Sequence, residues 1–188
     1  YGFRVPDHVA LPEKRPYYAF RTGPVAVIAL NTGEDKPDDH PSFQGRVAFQ
    51  QLREEQAEWL EGTIARPEFA DAPYRLVFCH IPLRWIEEIE QVDYAGGGFD
   101  RYARSSRDLW HASLVAWGAQ VVVSGHTHRP ASIPATAAFP YAQMIGGGPR
   151  PEQATWTVVT AGAEGMTIII RSLATGDVIH QERFTRLT

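Results

Sequence analysis

Histidines directly follow two apolar segments of this 188-residue sequence. The segment Val121–Ser124 leads through a glycine into His126 and His128, which stand at positions i and i+2. His80 follows another apolar segment in the same way. Neutral imidazole binds zinc, iron and manganese ions. In an extended or turned segment, the i, i+2 spacing serves two adjacent ions, or one ion from two sides. These residue types at these spacings predict a metal centre.

Both apolar segments have the length of buried strands. Tyr74–Cys79 precedes His80, and Gln120–Ser124 precedes the histidine pair. In open α/β sheets, ligands gather beyond the carboxyl ends of the strands. We therefore expect the sheet to deliver His80, His126 and His128 to one edge, where their imidazoles meet.

Two helices are predicted around these strands. Apolar residues over 49–64 fall at helical spacing with charged residues on the opposite face, and Pro67 is expected to end this helix. Ser105 or Ser106 is expected to cap the second helix, which runs to about Trp117. The polar residues that precede the first helix predict a long loop.

The remaining apolar segments predict further strands. Tyr17–Phe20 and Val25–Leu30 flank a Thr-Gly-Pro turn and predict a hairpin. After an irregular stretch, three segments predict an antiparallel meander: Trp156–Ala161, Met166–Arg171 and Val178–Phe184. Strands that alternate with helices and then follow one another predict an α/β fold, with a mixed sheet covered by helices.

Composition excludes several classes of protein. Hydrophobic residues make up 44% of the chain, which is enough for a filled core and too much for a disordered protein. The formal charge of −4 argues against a nucleic-acid surface, which requires a basic patch. No apolar run approaches the roughly 20 residues of a membrane span. The single cysteine, Cys79, excludes an internal disulfide and fits a cytoplasmic as well as a periplasmic or secreted location.

The histidine motifs resemble those of a known enzyme family. Gly125-His126-Thr127-His128 resembles the final Gly-His-x-His motif of calcineurin-like metallophosphoesterases, a group that includes purple acid phosphatases. His80-Ile81-Pro82 is similar to the histidine motif that precedes it in that family. The resemblance extends over nearly the whole chain through three further segments: the Tyr-Tyr-x-Phe hairpin, Leu30-Asn31-Thr32 and Gln56-x-x-Trp59-Leu60.

The resemblance implies a dinuclear centre and a fold. By it, His80 and His126 bind one metal ion and His128 binds the other, each ion being zinc, iron, manganese or nickel. The implied reaction is hydrolysis of a phosphate mono- or diester by water that two metals activate. The implied fold is part of an α/β/β/α sandwich with mixed sheets that ends in the antiparallel meander.

The sequence departs from the family in its missing earlier motifs. The ordered set Asp-x-His, Gly-Asp-x-x-(Asp/Asn) and Gly-Asn-His-(Asp/Glu) is absent, and with it the family's catalytic histidine. We therefore interpret residues 1–188 as the C-terminal portion of a catalytic domain whose N-terminal half lies elsewhere. Two divalent ions a few ångströms apart need carboxylates to offset their repulsion. The chain alone is thus expected to be inactive.

Two other interpretations compete with the phosphoesterase. In the first, the chain is a non-catalytic metal-binding or interaction domain, and the histidines hold one structural ion or none. In the second, it is a metallohydrolase of the metallo-β-lactamase type. That type requires a His-x-His-x-Asp-His run, which is absent.

Residues outside the three histidines carry weaker signals. Arg101 and Arg104 follow a glycine triplet and are candidate clamps for a substrate phosphate. Gly146–Gly148 is interpreted as a turn into the meander, since it lacks the lysine of a phosphate-binding loop. Four tryptophans are expected in the core: Trp59, Trp110, Trp117 and Trp156. Four histidines are expected to have no catalytic role: His8, His40, His111 and His180. An acidic turn is expected around His40.

Overall fold

A computed structural model describes residues 15–84 and 103–188 of the chain. Three helices lie in these ranges: α1 (Phe49–Ile64), α2 (Pro67–Ala70) and α3 (Arg104–Trp117). Nine strands lie there too: β1 (Tyr18–Thr22), β2 (Val25–Leu30), β3 (Tyr74–Cys79), β4 (Val121–Ser124), β5 (Ala131–Ile133), β6 (Ala142–Ile145), β7 (Thr155–Gly162), β8 (Gly165–Ser172) and β9 (Val178–Phe184).

The strands form a mixed sheet and a separate antiparallel sheet. The first has the order β1-β2-β3-β4-β6-β5, and the second has the order β7-β8-β9. Strands β2, β3, β4 and β6 run parallel, while β1 and β5 pair antiparallel at the two edges. The predicted α/β class, mixed sheet and antiparallel meander are confirmed. The carboxyl ends of the four parallel strands meet at one edge of the sheet.

The mixed sheet is the middle layer of three. Ala26 and Ile28 belong to the core shared with the helices, and Val25 and Val27 belong to the core shared with β7–β9. Successive side chains of a strand point to opposite faces of its sheet. Burial on both faces therefore explains why β2 is apolar throughout.

Large side chains hold the helices against the sheet. Trp110 of α3 is fully buried, and its indole N–H donates to the carbonyl of Arg53 in α1 at 3.0 Å. Trp117 is buried too, and its indole N–H donates to the carbonyl of Phe69 in α2 at 3.0 Å. Across 15–84 and 103–188, no helix has the length and apolar character that crossing a membrane requires.

The structure corrects several sequence-based predictions. Helix α3 begins at Arg104 with Ala103 at its N-cap, so Ser105 and Ser106 lie inside the helix and neither caps it. The stretch that was expected to be irregular contains β5 and β6. Trp156 is 46% exposed, because it lies on the face of β7 that points away from the core.

Candidate metal centre

His80 and His126 lie beside each other at the carboxyl edge of the mixed sheet. His80 follows β3 directly, and His126 follows β4 after Gly125. The two strands pair in parallel up to Phe78 and Val123. Beyond that point, the Gly125 N–H donates to the carbonyl of His80 at 3.0 Å. The backbones thus stay in contact where the two histidines begin.

The two imidazole rings approach each other through one nitrogen each. His126 Nδ1 lies 3.4 Å from His80 Nε2, with the rings nearly perpendicular at 85°. This separation exceeds the roughly 2.7–3.2 Å of an ordinary N–H hydrogen bond. It matches the spacing of about 3.3–3.4 Å between two nitrogens that each lie about 2.0–2.1 Å from one tetrahedral zinc. The donor pair therefore fits a single ion.

Backbone strain accompanies this arrangement. His126 has φ 67° and His128 has φ 59°, both in the left-handed region. The Thr127 N–H donates to the carbonyl of Gly125 at 2.8 Å, which closes a tight turn around His126. Such conformations cost about 1–3 kcal/mol each for residues other than glycine, and they cluster at functional sites.

A carboxylate that sequence analysis missed also contacts His126. Asp35 lies in the loop between β2 and α1, and its Oδ2 is 3.5 Å from His126 Nε2. Burial is the largest influence on the pKa of His126 and lowers it; the charge of Asp35 opposes that shift, and His80 adds to it. The net lowering favours the neutral imidazole, which is the form that binds metal.

His128 lies against the loop that follows β6. A Cβ placed on Gly148 would stand 3.1 Å from His128 Cβ, so the loop after β6 passes close to His128. Within the described part of the chain, no three His, Cys, Asp or Glu side chains form a group that could hold an ion. The structure thus brings together His80 and His126, and it does not bring His128 into one group with them.

The other candidate residues occupy varied positions. Arg101 lies outside the described residues, and Arg104 is exposed at the first position of α3.

His111 Nδ1 is 3.0 Å from the Tyr141 hydroxyl, whose pKa burial raises to about 12. The acidic turn has a structural task, because the Asp38 carboxylate accepts the first N–H groups of α1 at 3.0 Å.

Gln143 links the backbone segments that carry the two site histidines. This residue of β6 is fully buried, and its Nε2 donates to Ser124 Oγ at 2.9 Å and to the Val122 carbonyl at 3.0 Å. Its Oε1 accepts the N–H of Leu83, three residues after His80, at 3.1 Å. A polar residue inside an apolar segment was the available sequence signal for this role.

Replacing Gln143 with leucine should loosen both histidine segments. The change leaves the buried Leu83 N–H and the Ser124 hydroxyl without a partner, at a cost of about 1–3 kcal/mol in the free energy of unfolding. Urea unfolding measures that cost, and ring ¹⁵N signals of His80 and His126 should shift in the same variant.

Gln120→Leu is the matched control for this experiment. Gln120 accepts the N–H of Arg75 at 3.1 Å and donates to the carbonyl of Thr185 at 2.7 Å, at the opposite end of β4. Its replacement should lower stability while leaving the ring signals of the two histidines in place. Equal shifts in both variants would contradict a specific link through Gln143.

Comparison with known proteins gives distant relatives. No protein-family model matches the chain. The human and orangutan (Pongo abelii) proteins named serine/threonine-protein phosphatase CPPED1 are each 28% identical to it over 116 residues. That match covers 61% of this chain and 33% of each relative. The matched segment thus spans about a third of the length of these curated proteins.

Two solved structures share the fold over most of the chain. Purple acid phosphatase PPD1 from yellow lupin seeds aligns over 90% of this chain and 32% of its own, with a TM-score of 0.57 and 12% identity. GAP50, described as the anchor in the inner membrane complex of Plasmodium, aligns over 93% of this chain and 56% of its own, with a TM-score of 0.56 and 13% identity. The chain therefore has distant sequence similarity to a phosphatase, and it shares a fold that occurs in purple acid phosphatases.

Proposed function

We propose that this chain contributes histidine ligands to the metal centre of a phosphoesterase that hydrolyses phosphate esters. The observation that carries the proposal is the 3.4 Å separation between His80 Nε2 and His126 Nδ1 at the carboxyl edge of the parallel strands. Two converging imidazole nitrogens at that spacing suit one transition-metal ion.

The two histidines have separate supports for this task. The Ile81 N–H donates to Thr32 Oγ1 at 3.3 Å, which holds the His80 segment to the loop after β2, and Gln143 holds the same segment to β6. His126 is held by the tight turn that the Thr127–Gly125 hydrogen bond closes, and by the contact of its Nε2 with Asp35. When bound, metal ions in such a centre activate water for attack on phosphorus and offset phosphoryl charge.

His128 is proposed as a ligand of a second ion, which needs further donors. Two divalent ions close together require carboxylates between them, and the described residues place no suitable group of three donors there. We propose that these donors, including the catalytic histidine, come from protein outside the 188 residues. Residues 1–188 would then be the C-terminal portion of a catalytic domain.

The relatives guide the choice of substrate. The mammalian proteins similar to this chain are named serine/threonine-protein phosphatases, so phosphoserine and phosphothreonine peptides are the first substrates to test. Arg104 remains a candidate phosphate ligand from its exposed position at the start of α3. Arg101 is the other candidate named by the sequence.

Metal removal tests the proposed function. The full-length protein should hydrolyse p-nitrophenyl phosphate and a phosphoserine peptide, lose this activity on dialysis against a chelator, and regain it with zinc, manganese or iron. The 188-residue chain alone should remain inactive under the same conditions. Hydrolysis that survives complete metal removal, or robust turnover by the 188 residues alone, would contradict the proposal.

The similarity to GAP50 favours a non-catalytic alternative. GAP50 shares the fold, and its description is that of an anchor, so this fold also occurs in a protein described by an assembly role. On that alternative, the full-length protein binds at most one ion and hydrolyses neither substrate. Metal analysis of the purified full-length protein, together with the turnover measurement, separates the two functions.

A further inference from the structure

We propose that Asp35 is the positioning residue of His126, whose imidazole it holds with the proton on Nε2 and the lone pair on Nδ1. This inference rests on the metal centre proposed above, and it assigns a task to a loop residue outside both histidine motifs.

One ring nitrogen of His126 faces a carboxylate, and the other faces an imidazole. Nε2 lies 3.5 Å from Asp35 Oδ2, and Nδ1 lies 3.4 Å from His80 Nε2. A neutral imidazole carries one proton and one lone pair, whereas an ionised carboxylate only accepts hydrogen bonds. The proton therefore belongs on Nε2, facing Asp35. The lone pair on Nδ1 then points toward His80, as a shared ion requires.

Asp35 has a separate partner for each carboxylate oxygen. Oδ1 lies 2.8 Å from the ammonium of Lys36, and Oδ2 faces the imidazole. The side chain is 20% exposed, so the pair is partly shielded from water. Carboxylates in this position next to ligating histidines fix the ring tautomer and orientation.

The loop that carries Asp35 is anchored on both sides. The buried Arg53 of α1 donates to the carbonyl of Thr32 at 3.0 Å and to that of Glu34 at 2.9 Å. After Asp35, the Asp38 carboxylate accepts the N–H of Phe49 at 3.0 Å. Helix α1 thus fixes the chain just before and just after the residue that contacts His126.

The tautomer of His126 is the first readout, and it needs no metal. Ring ¹⁵N signals of the metal-free chain should show the Nε2–H form in wild type, at a pH well above the usual imidazole pKa of about 6.5. In Asp35→Ala, the signals should move to a mixture of both tautomers. Asp35→Asn keeps an accepting oxygen and should retain the wild-type tautomer.

Zinc affinity is the second readout. In the full-length protein, Asp35→Ala should weaken zinc binding roughly 10–100-fold, and Asp35→Asn should weaken it less. Asp39→Ala is the matched control, because Asp39 is exposed in the same loop and should change neither readout.

The outcomes separate this inference from the proposed function. An Nδ1–H ring, a doubly protonated ring, or an unchanged tautomer in Asp35→Ala would overturn the role of Asp35. Absence of zinc binding by the wild-type full-length protein would instead refute the proposed metal centre, while the tautomer of the metal-free chain still decides on Asp35. A wild-type Nε2–H form that is lost in Asp35→Ala supports the inference.

Discussion

Replacing His126 with alanine should lower zinc affinity by more than about 100-fold. Loss of a residue that only hydrogen-bonds to a metal ligand already lowers metal affinity roughly 10–100-fold, and His126 is a proposed ligand itself. The change removes one of the two nitrogens that lie 3.4 Å apart and leaves the other without a second donor. Turnover of phosphate esters by the full-length protein should fall by a similar factor. Competition against a chromogenic zinc chelator measures the affinity, and circular dichroism verifies the fold.

Two further variants sharpen this prediction. His180→Ala removes an imidazole from β9 in the other sheet and should leave zinc affinity unchanged. On the proposal that both side chains bind one ion, the double variant of His80 and His126 should bind zinc hardly more weakly than either single variant. If the losses in zinc-binding free energy of the two single variants add fully in the double variant, the two histidines do not share an ion.

Replacing Trp110 with alanine should have the largest effect on stability. Its side chain is fully buried between α1, α3 and the mixed sheet, and large aromatic truncations in a core cost about 3–5 kcal/mol. The loss also removes the hydrogen bond to the carbonyl of Arg53. Since domains are stable by about 5–15 kcal/mol, this variant should unfold at much lower urea concentrations.

Trp156→Ala provides the matched comparison for Trp110→Ala. The chemical change is the same, but Trp156 is 46% exposed on the outer face of β7. Its free energy of unfolding should fall by about 1 kcal/mol or less. Comparable losses in the two variants would mean that the outer face of β7–β9 is covered in solution.

The elements that sequence analysis predicted best are those with strong periodicity. Helix α1 follows from the spacing of its apolar residues, and β2 follows from burial on both faces. The approach of His80 to His126 follows from parallel strands that end at one edge. Strands β5 and β6 were missed because they have only three and four residues, and the second includes the polar Gln143.

The missed parts of the site depend on contacts that leave no local pattern. Asp35 reaches His126 because Arg53, in a different element, binds two backbone carbonyls of the loop. Any sequence offers such carbonyls, so the path of the loop cannot be inferred from its residues. The position of His128 depends on the left-handed backbone conformations of His126 and of His128 itself, which the i, i+2 spacing does not encode.

The order of strands in the mixed sheet has a consequence for how the protein folds. The meander β7–β9 pairs neighbours joined by short turns, so its contacts are local and form early. The imidazoles of His80 and His126 belong to residues 46 positions apart, and they meet only after the crossover that includes α3 has closed. Bringing together residues that are far apart in the sequence is slow, because it lowers the conformational entropy of the chain between them. When the complete chain refolds from denaturant, His80 and His126 should therefore come together late, after the meander has formed.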